Sequence, residues 1–127
     1  MASRKELLQR FVLDSICDDY ENLAVSIEGP LKEIGLDCGM TIEREEIVAA
    51  LKQLVDKGWA KAWKPPRRSG QPWDEWIGFP SQEEMDHAMG AWFYITEPGM
   101  KVHLTEYEGW PFDEENHLKR DWTPPVE

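Results

Sequence analysis

Apolar positions recur at helical spacing from the start of the chain. Ser3-Arg4-Lys5-Glu6 has the spacing of a capping box, in which a hydroxyl and a carboxylate satisfy two backbone donors at a helix start. Leu8, Phe11, Val12 and Ile16 follow on one face with Tyr20 at its limit, predicting a first helix that ends by Tyr20. Asp18, Asp19 and Glu21 crowd the end that the helix dipole makes negative, which favours termination there. Leu23–Ile27 is short, apolar and partly β-branched, and predicts a brief strand. Gly29-Pro30 opens a second helix to about Ile34, stopped by Gly35, and 36–40 predicts a turn.

The strongest periodicity lies in the third helix. Thr41 is its expected N-cap, and Glu43, Glu45 and Glu46 favour the positive end of the dipole. Ile47, Val48, Ala50, Leu51, Leu54 and Val55 form the buried stripe, and Gly58 is the expected terminating glycine. The period then changes to two: Trp59-Ala60-Lys61-Ala62-Trp63-Lys64 alternates apolar and polar, as a half-buried strand does. Pro65-Pro66 ends it. Residues 65–90 form a long insertion, loop-like at first, with a second capping box at Ser81-Gln82-Glu83-Glu84 predicting a helix to Met89. Residues 91–96 predict the partner strand, and residues 100–104 one more helical turn. The stretch 105–127 is an acidic, aromatic extension.

This order of elements, and two stretches of wording, resemble a winged helix-turn-helix domain of the bacterial regulator type. EEIVAALKQLVDKGWAKAWK is similar to the third helix and first wing strand of such domains. WFYITEPGMKVHL is similar to the second wing strand and the element after it, usually aromatic-x-Leu-Thr-x-x-Gly; here Ile95 replaces the leucine, and Thr96 and Gly99 match. The resemblance spans about Ser3 to Leu104. It implies an α+β fold with a three-helix core and a two- or three-stranded wing sheet, here with an enlarged wing insertion (65–90) and a C-terminal extension (105–127). It also implies where DNA would be touched: Arg44, Lys52 and Gln53 on the third helix, and Lys61, Lys64, Arg67 and Arg68 on the wing. Winged-helix proteins often dimerise through terminal elements, so the tail or first helix is an expected homodimer interface.

Charge cuts against the DNA reading. The chain has 14 basic and 25 acidic residues and a net charge of −11, which repels nucleic acid and anionic membranes at long range. Residues 41–70 reverse the balance with seven basic and four acidic side chains, concentrated on the first wing strand and the loop after it. The outer face of the third helix nonetheless carries Glu45, Glu46 and Asp56 beside Ala49, Lys52 and Gln53, a poor surface for phosphates. Aromatic content favours a protein partner instead. Trp73, Trp76, Trp110, Phe112 and Trp122, with Phe79, lie in the insertion and tail, where a minimal winged helix has no core to fill. The same rings also suit a simpler role, fastening those segments to the body. The expectation is a non-catalytic interaction module that binds protein rather than DNA, with a DNA-binding regulator as the alternative.

Catalytic and metal chemistry leave no trace in the spacing. His87, His103 and His117 show no metal-ligand spacing with one another or with Cys17 and Cys38, and no cofactor is expected. Asp113-Glu114-Glu115-Asn116 lacks the glycine and spacing of a calcium loop. No phosphate-binding glycine loop or nucleophile elbow occurs. A ligand pocket lined by Trp59, Trp63 and Trp92 is a third idea, against their use as wing-strand core. Two cysteines make no disulfide framework, no apolar run suits a membrane span, and the N-terminus lacks a signal-peptide core, so a cytoplasmic protein with free thiols is expected.

Overall fold

Ser3 caps the first helix, α1 (Arg4–Ser15), its Oγ accepting from the Glu6 backbone N–H at 3.1 Å. In the computed structural model, which describes residues 3–126, α1 buries Leu7, Leu8, Phe11, Val12 and Leu13, and Ile16 is buried just past its end. That stripe is wider than the one read from the sequence, and the helix ends at Ser15, within the expected limit at Tyr20, with the Ile16 N–H donating to the Val12 and Leu13 carbonyls.

The expected strand at Leu23–Ile27 does not form. Those residues make a π-helical turn that runs directly into α2 (Glu28–Asp37). The cause is Asn22, which is fully buried. Its Oδ1 accepts from Ala24 and Val25 N–H, both at 3.1 Å, so the helix start is capped more favourably than a strand would be paired. Only Glu21, just before it, pairs as a strand would, exchanging two backbone hydrogen bonds with Phe93. The second helix is also longer than expected. Gly35 does not stop it but sits inside it, where a Cβ would strike the Ile42 side chain. The turn comes at Gly39, with φ +82°, a conformation that glycine adopts without strain.

The third helix, α3 (Arg44–Asp56), starts at Glu43 rather than Thr41. Residues 41–43 are extended and bury Ile42, and the Glu46 carboxylate accepts from the Glu43 N–H at 3.1 Å. Strand β1 (Ala60–Lys64) follows, then β2 (Asp74–Glu75), α4 (Gln82–Met85), β3 (Trp92–Ile95) and α5 (Glu97–His103). The three strands form an antiparallel sheet in the order β2-β1-β3. Ala60, Ala62, Phe93 and Ile95 face the helices and are buried, as the alternation requires. The capping box at Ser81 and Glu84 forms, but α4 ends at Met85, before Met89. Thr96 caps α5 by accepting from Gly99 N–H at 3.1 Å, and its hydroxyl donates to Gly58 C=O at 2.6 Å.

Two sets of polar contacts hold the layers. Arg4 grips Glu46 through Nε and Nη2, at 2.7 and 3.0 Å, tying α1 to α3. Arg10 donates to the carbonyls of Val102 and Thr105, at 2.7 and 3.0 Å, tying α1 to the end of α5. The fold is thus α+β, with helices packed on one face of a small antiparallel sheet. Among the described residues no helix is long and apolar enough to cross a membrane.

Candidate functional site

The basic residues implied as DNA contacts are mostly engaged within the molecule. Arg44 pairs with Glu28 at 2.7 Å and with Asp86 at the end of α4. Lys52 faces Asp56 one turn on, at 3.4 Å, and its ammonium lies 5.6 Å from the centre of the Phe79 ring. Gln53 accepts from Gln9 at 2.7 Å. On β1, Lys61 pairs with Glu75 at 2.9 Å, and Lys64 sits over the Trp76 ring at 5.0 Å. Arg67 and Arg68 are exposed and make no ion pair among the described residues. The insertion therefore reaches both ends of α3, Asp86 at its start and Phe79 beside Lys52.

The nominated aromatics divide between fastening and surface. Trp110 packs edge-on against Phe11 of α1, with ring centroids 5.2 Å apart. Trp122 donates its indole N–H to Gly109 C=O at 2.9 Å. Phe112 pairs through its backbone with Leu118, and all three rings pack on the core, so the tail is docked on the body through them. Trp76 is half-buried at the end of β2, its backbone N–H donating to Ala62 C=O at 2.8 Å. Trp73 instead reaches the outer face of the sheet.

That outer face joins Trp63 and Trp92, named from the sequence as possible pocket walls, with two residues that sequence reasoning did not nominate, Tyr20 and Tyr94. Strand alternation puts Lys61 and Trp63 of β1 beside Trp92 and Tyr94 of β3, with Trp63 opposite Trp92. Tyr20, from the segment after α1, lies over them: it stacks on Trp73 and meets Trp63 and Tyr94 edge-on, at 6.0 and 4.8 Å. A groove of 540 Å³ runs beside this cluster, lined by Tyr20, Lys61, Trp63, Tyr94, Glu97 and Pro98. The period-2 pattern held the signal for Trp63, Trp92 and Tyr94, but Tyr20 read as the last turn of α1. Trp59 does not join them; it lies at the far end of β1, beneath the Lys57 ammonium at 4.5 Å.

Burial, assisted by Asp14 and Asp18, pushes the Cys17 thiol up from its ordinary value, and burial does the same to Cys38. Both cysteines are free, as expected. No protein-family model, no curated protein and no solved structure matches this chain.

Proposed function

We propose that the chain is a non-catalytic protein-interaction module on a winged-helix-type scaffold, binding through the outer face of its sheet. The helical order with β1 and β3 paired after α3 supports the scaffold, as does the Glu21–Phe93 bridge, which occupies the place of a winged helix's first short strand. One observation carries the function: Tyr20, Trp63 and Tyr94 form a half-exposed aromatic surface beside a groove, while Arg44, Lys52 and Lys61, three of the cations expected to bind phosphates, are already paired. Rigid aromatic rings bury large area at little entropic cost, which suits a protein contact. The net charge of −11 selects a basic partner segment.

Capture from a cell extract with the full chain as bait tests this reading. The wild type retains a partner and Tyr94→Ala loses it with an unchanged circular dichroism spectrum; equal capture by that variant sinks the assignment of the face. A second copy of the chain is another protein partner that this face admits, and sedimentation over a range of concentration identifies it.

The DNA reading keeps one supporting observation, the exposed and unpaired Arg67 and Arg68. Fluorescence anisotropy with random duplex DNA from about 20 to 200 mM salt decides it. Steeply salt-dependent binding that Arg67→Ala with Arg68→Ala abolishes makes the wing a DNA contact; no binding at the lowest salt removes it.

A further inference from the structure

Asp14, Cys17 and His103 have no spacing in common, yet the fold gathers them. Asp14 is in the last turn of α1, Cys17 lies just beyond it, and His103 is the last residue of α5. Each offers one ligand atom, and the three atoms all lie within 4.8 Å of one another. The contact that sets this geometry is independent of the three groups: Arg10 holds the end of α5 against α1 through two carbonyls.

We propose that Asp14, Cys17 and His103 form a three-ligand site for a divalent ion of the zinc class, clamping α5 to the end of α1. Thiolate, imidazole and carboxylate together suit zinc and not calcium or magnesium, which take oxygen ligands. A tetrahedral zinc ion holds such ligand atoms about 3.3–3.8 Å apart, so the three must close by about 1 Å. Asp14 is the exposed member of the three. Cys17 and His103 are half-buried, which limits competition from water without closing the site. The ion meets a favourable field there. The C-terminal carbonyls of α1 carry negative partial charge, and the Asp18 carboxylate adds to it. The Cys17 thiol now donates to the Asp14 carbonyl at 3.1 Å, a weak bond that metal ligation replaces. Three protein ligands leave a fourth position for water.

Cobalt(II) added to the chelator-treated full chain under reducing conditions tests the site, because a cobalt–thiolate bond produces a charge-transfer band in the near ultraviolet. The expected result is a band that saturates at one ion per chain and is displaced by zinc. Cys17→Ser abolishes it, His103→Gln weakens it at least tenfold in affinity, and Cys38→Ser leaves it intact. Zinc also raises the melting temperature of the wild type and not that of Cys17→Ser. Absence of the band in the wild type, or an equal band in Cys17→Ser, overturns the proposal. Should Cys17→Ser fail to fold, the His103→Gln variant decides: unchanged cobalt affinity there overturns it as well.

Discussion

Tyr20 and Trp73 lie face to face, their ring centroids 3.9 Å apart and their planes within 2° of parallel. Tyr20 follows α1 and Trp73 belongs to the insertion, so this stack pins the enlarged loop to the outer face of the sheet. Aromatic pairs contribute about 0.5–1.5 kcal/mol beyond their buried area. Trp73→Ala is therefore expected to destabilise the fold by about 1–2 kcal/mol and to speed amide exchange in 65–80. Urea unfolding and hydrogen exchange measure both. An unchanged midpoint with unchanged exchange would show that the insertion is held by other contacts.

Asn22 joins three parts of the fold through one side chain. Besides capping the π-helical turn, its amide donates to Ala91 C=O at 2.7 Å and His87 C=O at 3.1 Å. Asn22→Ala removes the cap and leaves the buried Ala91 carbonyl short of a donor. The expected cost is about 2–4 kcal/mol, larger than for a surface cap. The denaturant midpoint reads it, and a loss below about 1 kcal/mol would mean that water replaces the amide.

Acid stability depends on the pairs on α3 and α2. The side-chain hydrogen bond from Arg4 holds the Glu46 carboxyl below its ordinary 4.5, and Glu28 is lowered chiefly by Lys32, with Arg44 adding to it. A carboxylate lowered in the folded state stabilises it above the unfolded value; that contribution is lost as pH falls through the lowered folded value. Glu46→Gln should reduce stability at neutral pH and flatten the acid limb below 4.5. Glu21 acts in the opposite direction, because burial raises it and its neutral form favours the fold. Denaturant midpoints from about pH 3 to 7 test this; a parallel acid limb in Glu46→Gln would remove the pair from acid unfolding.

Gly99 and Gly29 predict opposite responses to the same substitution. A Cβ at Gly99 would be driven into the Trp59 carbonyl, where α5 crosses the start of β1. Gly99→Ala should cost about 1–3 kcal/mol through a forced backbone shift. At Gly29, in the first turn of α2, a Cβ meets nothing within 4 Å. Gly29→Ala should add about 0.4–1 kcal/mol by narrowing the unfolded ensemble. Melting temperatures of the two variants should move in opposite directions; a shared direction contradicts the geometry.

Much of the architecture was legible because helices and strands are written in short-range patterns. The α3 stripe from Ile47 to Leu54, the alternation of β1, the N-cap at Ser3 and the capping box at Ser81 act over a few residues, and each appears where its period puts it; at Ser3 only the hydroxyl half of the expected box forms. The failures share a cause as well. Leu23–Ile27 has strand-like composition, but Asn22, held by the His87 and Ala91 carbonyls far along the chain, caps a helix there instead. Gly35 reads as a stop until the fold brings Ile42 against it.

The candidate surfaces followed the same division. Sequence alone determined the three main helices and the two long strands, the acidic balance, the free cysteines and the supply of aromatic rings, since composition and period do not depend on where distant segments lie. Only the tertiary structure decided which of those groups are spent and which are left. It paired Arg44 with Glu28 and Asp86, sent Trp110 to Phe11 and Trp73 to Tyr20, and brought His103 beside Cys17. Each is a contact between residues far apart in sequence, fixed by core packing and polar satisfaction, which no local period encodes.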